Sequence, residues 1–176
     1  MRTLFFLSAV LVVLIAQTTA FHFTGGYGIW PDLALVISIY AGLKLHKLGG
    51  LKTGLAAGFL EDMLSYGSMG TNTISKTLCG FAVGKFREKY INDSPISRIA
   101  LTLTFSIIDV VLYKTLTETF AGVSSITSAW KMGFFFSLLN VAFALPVMGL
   151  LEKAEARFNN LIRGTGGRYG SSPFLD

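Results

Sequence analysis

A chain of 176 residues that is 52% hydrophobic and only 14% charged does not fit a soluble domain, where about a quarter of residues are charged. Fifteen Lys and Arg against ten Asp and Glu give +5, but the cations lie in short clusters between apolar runs and form no basic stripe of the kind that tracks a nucleic acid. One cysteine, Cys79, excludes a disulfide framework, and two distant histidines, His22 and His46, leave no Cys/His zinc pattern. The composition predicts an all-α integral membrane protein.

Roughly 20 apolar residues cross a hydrocarbon core of about 30 Å, and six such runs fit the chain. The first is uncharged from Leu4 to about Phe21, and Gly25 to Gly28 reads as a turn after it. The second runs from about Ile29 to Leu45 and opens with Pro31 and Asp32. There a missing N–H costs nothing and a carboxylate meets the positive end of the helix dipole; Trp30 suits the interfacial belt. The third and fourth, about Leu51 to Tyr66 and Thr71 to Phe86, are joined by the tight Gly67-Ser68-Met69-Gly70 turn. The fifth, about Ile96 to Leu116, follows Asn92-Asp93-Ser94-Pro95, a helix-start sequence. The sixth spans about Trp130 to Leu151, with Pro146 expected to bend or loosen its last turns.

Positive loops stay in the cytoplasm. With the N-terminus inside, twelve of the fifteen cations fall on the cytoplasmic side: Arg2, the Lys44/Lys47/Lys52 group, Lys85 to Arg98, and the four from Lys153 to Arg168. Lys76, Lys114 and Lys131 are left on the far side or at membrane depth. Both termini are therefore expected inside, in a multi-pass membrane protein. Arg2, the apolar Leu4 to Ala16 and Thr18-Thr19-Ala20 also resemble a cleavable signal peptide; cleavage would leave five spans, which the charge pattern fits less well. Beyond the sixth span, Leu151, Ala154, Phe158, Leu161 and Ile162 recur at helical spacing, as an amphipathic segment on the anionic inner leaflet would. The expected organisation is one domain over residues 1–163 and a disordered, glycine-rich tail over 164–176.

Glycines 50, 54 and 58 enter the third span, and Gly80 and Gly84 lie on the fourth. Small residues at this spacing let two backbones approach closely, for packing inside the chain or against a partner. Ionisable groups at membrane depth cost several kcal/mol each unless paired, hydrated or placed in a cavity. Asp62 continues the Gly54/Gly58 face, with Glu61 beside it. By about 1.5 Å of rise per residue, Lys76 on the neighbouring antiparallel helix reaches comparable depth. Pairing of Asp62 or Glu61 with Lys76 is expected, with Asn72 and Thr73 completing a polar cluster. Asp109 falls near the midplane of the fifth span, where Lys114, Lys131 or a hydroxyl such as Thr104 could satisfy it. No nucleophile with a nearby base, metal-ligand cluster or phosphate-binding loop is legible, so no catalytic residue, cofactor or metal is expected, and Cys79 reads as a small packing residue.

From Pro31 to Tyr90 the sequence resembles the bacterial rod-shape-determining protein family MreD. The residues carrying the resemblance are "PDLALVISIYAGL", the basic "KLHKLGGLKTG" and "GLAAGFLEDMLSYGSMGTNTISKTLCGFAVGKF". Within them Pro31, Asp32, Gly58, Asp62, Gly67 and Gly70 match the family's pattern. Thr71 to Ser75 is more polar than that pattern and the tail richer in glycine. The resemblance implies a non-catalytic inner-membrane subunit of the machinery for sidewall peptidoglycan synthesis. Its implied partners are MreC and, through the complex, MreB, RodA and a class B penicillin-binding protein. It also implies a six-helix bundle similar to the substrate-binding components of energy-coupling-factor transporters. Two functions from different classes follow. One is a scaffold meeting the membrane anchor of MreC through Pro31, Asp32 and the Gly67 to Gly70 turn, with basic loops on anionic lipid. The other is a transporter subunit holding a small solute near Asp62, Asn72 and Asp109, with Ala16 and Ala20 as a coupling face.

Overall fold

A computed structural model of the chain describes residues 2–23, 31–65, 69–90, 94–121 and 126–166, and among these described residues the regular structure is helix. Five helices follow in order: α1 Arg2–Phe23, α2 Leu33–Leu64, α3 Thr71–Tyr90, α4 Pro95–Ala121 and α5 Ile126–Gly166. Their starts follow local chemistry. Asp32 caps α2, its side chain accepting from the Leu35 N–H at 2.8 Å. At α4 the Ser94 hydroxyl accepts from the Ser97 N–H at 3.1 Å, with Pro95 in the first helical position, where its missing donor costs nothing. The predicted turn at Gly25 to Gly28 and Trp30 lie outside the described residues, as do Gly67 and residues 167–176. Pro146 sits inside α5, and the helix runs through it to Gly166, past the expected domain edge at Arg163.

The largest departure from the expected layout is α2. The second and third predicted spans are not separated by a loop of basic residues and glycines. They form one helical element broken at a single residue, His46, with φ 61° and ψ −170°. That region is nearly reserved for glycine and costs about 1–3 kcal/mol in other residues. The break reverses the chain. In a continuous helix Gly42 and Gly50 would stand about 12 Å apart, yet a Cβ built on Gly50 lies 2.9 Å from the Gly42 Cα. So α2 is a helical hairpin with arms of about 20 Å and about 27 Å and its apex at His46.

α3 lies against this hairpin along a ladder of glycines. A Cβ added at Gly50 would strike the Gly80 carbonyl, one at Gly54 the Lys76 carbonyl and one at Gly58 the Asn72 carbonyl. Steps of four up one helix meet steps of four down the other, which makes the second arm and α3 antiparallel backbones in direct contact. The apex is seated in the same way, since a Cβ at Gly84 would come within 2.5 Å of the Lys47 N and Cα. Of the two uses open to these glycines, the chain spends Gly50, Gly54, Gly58, Gly80 and Gly84 on its own packing.

The first arm is the centre of the bundle. Every residue from Ala34 to Leu43 is buried, as a helix surrounded by others must be, and α2 touches each of the other helices. Phe6, Val10 and Leu14 of α1 cover it, with Val83 of α3, Phe105 of α4, and Ala144 and Met148 of α5; the Phe6 and Tyr40 rings are 5.6 Å apart. The amphipathic end of α5 also turns inward, placing Phe158 5.3 Å from Phe5 of α1. Large apolar side chains such as Val12, Phe59, Ile96, Phe134 and Leu150 are exposed outside. Among the described residues, Pro95–Thr119 and Gly133–Asn160 are long and apolar enough to cross a membrane, and Phe5–Thr19 is a shorter apolar stretch.

The ladder makes a direct prediction. Gly54→Val should destabilise the protein by about 1–3 kcal/mol, the usual range for overpacking, because the new atoms meet backbone that cannot swing aside. Gly149→Ala, with open space around it, should be neutral. Thermal unfolding of the two variants in one detergent checks this; equal midpoints would contradict the close approach.

Candidate functional site

The two ends of the hairpin converge on one ammonium group. Lys76 lies a turn and a half into α3 and is 1% exposed. Its Nζ is 2.9 Å from Asp32 Oδ2, at the start of the first arm, and 2.8 Å from Glu61 Oε2, near the end of the second. It also donates to Asn72 Oδ1 at 2.9 Å, one turn back along α3. An unpaired ammonium at this depth would cost several kcal/mol; here two carboxylates and an amide surround it. The pairing joins the two arms of α2 and α3 at the end opposite the His46 apex, where Gly84 seats the same three segments together.

Neighbouring polar groups extend the cluster into the remaining helices. The Asp32 N–H donates to Asn140 Oδ1 of α5 at 2.6 Å, and Asn140 Nδ2 donates to Ser106 Oγ of α4 at 3.1 Å. The Leu33 N–H donates to Gln17 Oε1 of α1 at 3.3 Å. Two of the orphan donors that every helix N-terminus carries are thus met by side chains from two other helices. Next to Lys76, Ser75 Oγ donates to Asp109 Oδ1 of α4 at 2.5 Å.

Asp62 has a different task. Its Oδ2 accepts from the Gly70 N–H and the Thr73 N–H, both at 2.9 Å, and from the Thr73 hydroxyl at 2.5 Å, while Oδ1 accepts from the Asn72 N–H at 3.1 Å. It is the cap of α3, supplied by the preceding arm, and its charge sits at the positive end of the α3 dipole. Gly70, with φ +98°, makes the turn into that cap and needs the freedom of glycine.

At the His46 end the cations gather on acidic partners. Glu152 of α5 accepts Lys44 at 2.9 Å and Arg98 at 2.6 Å, and Lys47 lies 3.5 Å from Glu88. Lys47 and the 84–88 stretch therefore lie at the same end of the bundle, opposite Lys76.

The geometry sorts the expected site residues. Glu61, and not Asp62, contacts Lys76, and Asn72 and Asp32 share that ammonium; Asp62 is joined to Gly70, Asn72 and Thr73. Asp109 is met by a hydroxyl, one of the expected kinds of partner, that of Ser75 and not Thr104; Lys114 faces Glu118 one turn on, at 3.9 Å, and the Lys131 side chain lies outside the described residues. Gly58 abuts the Asn72 carbonyl. Pro31 is buried, and its carbonyl accepts from the Leu33 N–H. Gly67 lies outside the described residues. Sequence reasoning passed over Gln17, Ser75, Ser106, Asn140 and Glu152. Of these Asn140 carried a signal, a lone amide in an apolar run. Among the described residues no group of three His, Cys, Asp or Glu could hold a metal ion; the place between Asp32 and Glu61 is taken by Lys76.

Lys76→Met leaves Asp32 and Glu61 buried without their counter-charge and should cost about 3–5 kcal/mol. Adding Glu61→Gln should return part of that loss, giving a coupling energy of about 1 kcal/mol or more. Asp62→Asn should cost about 1–2 kcal/mol, as loss of a cap does. Reversible unfolding of the four variants in micelles measures all three quantities, and additive effects of Lys76→Met and Glu61→Gln would contradict the ion pair.

The family model for the rod shape-determining protein MreD matches residues 1–154, which takes in all of α1 to α4 and most of α5. Neither the curated proteins nor the solved structures that were compared match this chain. The chain belongs to the MreD family of rod shape-determining membrane proteins.

Proposed function

We propose that the chain is a six-span, non-catalytic scaffold of the bacterial inner membrane that maintains rod shape by holding MreC and, through it, the sidewall peptidoglycan machinery with MreB, RodA and a class B penicillin-binding protein. The two arms of α2 count as separate spans, so five helical elements make six crossings. This agrees with the clustering of Lys44, Lys47, Lys85, Arg87 and Arg98 at one end and with the positive-inside rule. The resemblance to energy-coupling-factor substrate-binding components is proposed at the level of this six-rod arrangement.

The observation that carries the scaffold reading is the Lys76 cluster within a chain matched to the MreD family over 154 residues. The family's motif residues Asp32 and Asp62 are spent on fixing helix ends to one another: Asp32, with Glu61, on Lys76, and Asp62 on the start of α3. They are not arrayed around a polar cavity. The helix starts at Asp32 and at Met69–Gly70, held by these contacts, are what a partner's membrane anchor can dock on at little ordering cost. The same economy argues against a small-solute site, because Asp62, Asn72 and Asp109 already have partners within the chain.

Two measurements test the reading. Depletion should round the cells and abolish co-purification of MreC, and re-expressed Lys76→Met protein should recover less MreC than the wild type. In a Cys79→Ser background, cysteines replacing Lys47 and Arg87 should react from the cytoplasmic side alone. Normal rods after clean deletion without a paralogue would refute the scaffold role, and labelling of the two positions from opposite sides would refute the threading.

A further inference from the structure

We propose that the groove between α3 and α4 binds one acyl chain of an anionic phospholipid from the cytoplasmic leaflet, with the headgroup held at Lys85. The proposal rests on the membrane placement given above. The groove has a volume of about 420 Å³ and is lined by Leu78, Phe81 and Phe86 of α3 and Leu101, Ile108 and Leu112 of α4, with almost no polar surface. α3 is pressed against α2 by glycines on its other side, whereas these bulky side chains hold α4 away from it.

Three features select a lipid chain as the occupant. The first is length: Leu101 to Leu112 rises about 16 Å, about half of a hydrocarbon core of about 30 Å, which is the depth of one leaflet. The second is volume. A helix about 10 Å across and equally long fills about 1,250 Å³, more than the about 870 Å³ of empty space in the groove even with its open side counted, so a transmembrane helix would rest on the groove without filling it. The third is charge. Lys85 continues the Leu78, Phe81 and Ala82 stripe of α3 by one turn, and Arg98 precedes Leu101 by one turn on α4, so both walls end in a cation at the His46 end. Arg98 is held by Glu152 at 2.6 Å, while Lys85 is exposed. That is the end the positive-inside rule sends to the cytoplasmic leaflet, where anionic headgroups lie.

Native mass spectrometry of the full chain, offered equal amounts of phosphatidylglycerol and phosphatidylcholine in mild detergent, tests the groove. The wild type should retain one phosphatidylglycerol with a preference of about fivefold, the size expected for one cation at an anionic surface. Thr104→Trp places an indole in the groove from an exposed position and should lower retention at least about fivefold with no change in unfolding midpoint. Lys85→Glu should erase the headgroup preference and leave a lipid bound. Equal retention by Thr104→Trp, or no headgroup preference in the wild type, would overturn the proposal. So would loss of MreC from Thr104→Trp while the wild type retains no lipid, an outcome that assigns the groove to a protein helix. Failure of the scaffold reading would appear separately, as normal rods after deletion with lipid retention unchanged.

Discussion

The fold depends on one buried ammonium. Lys76 cannot lie in an apolar interior alone, and the two carboxylates that reach it come from residues on either side of the α2 apex, Asp32 and Glu61. Those residues can meet only if the chain has reversed at His46 and the stretches from His46 to Asp32 and from His46 to Glu61 are nearly equal in length. The ion pairs thus act as a gauge: a slip of one residue in either arm would turn a carboxylate about 100° away from Nζ. The cost of desolvating three charges means the cluster need not add net stability. What it adds is register, because arrangements that leave any of the three charges unpaired are far more costly than the native one.

The glycine ladder and the ion cluster need each other. Gly50, Gly54 and Gly58 bring the α3 backbone into contact with the second arm, and only at that separation does a side chain leaving α3 at residue 76 reach both Glu61 and Asp32. Conversely, glycine faces are smooth and would let two helices slide, since van der Waals contact alone is nearly the same at each step of four. Asp62 adds a second stop by capping α3 from the arm beside it. The strained backbone at His46 is then understandable as a consequence. The reversal must occur within one residue for both arms to lie along α3, and the Gly84 backbone approach holds that residue where it is.

These relations were unequally legible in the sequence. The spacing of the glycines and the depth of Glu61, Asp62 and Lys76 could be read, because in lipid a period of four small residues and a buried charge each have few physical solutions. Depth alone could not choose between Glu61 and Asp62, whose side chains leave the helix in different directions. The hairpin was not legible. "KLHKLGG" has the basic residues and paired glycines of a loop, and with Gly49 and Gly50 only three and four residues on, His46 was not the expected bearer of the positive φ. The partner of Asp109 was hidden for a similar reason. Hydroxyls are common in apolar helices, where they usually bond to their own backbone, so nothing singled out Ser75 until α3 and α4 were seen side by side. The glutamate that gathers Lys44 and Arg98 lay in a segment whose amphipathic pattern pointed to a membrane surface, yet it continues α5 along the bundle toward Phe5.

The two ends of the molecule are consequently built on different physics, and this bears on what each can do. At the Asp32 end, charges and amides from all five helices are consumed in mutual contacts at low exposure, so that end holds its shape and presents it to whatever docks there. At the His46 end Lys44, Lys47 and Arg98 have acidic partners in Glu152 and Glu88, and further cations such as Lys85 lie exposed beside them. A surface of the first kind suits recognition by shape, since a partner meets positions already ordered and pays little to fix them. A surface of the second kind suits attraction by charge, which tolerates motion and falls off over about a Debye length. Under the proposed scaffold role, placing the ion cluster at one end and the surplus cations at the other would separate a fixed contact from attraction to an anionic membrane along about 20 Å of a single hairpin.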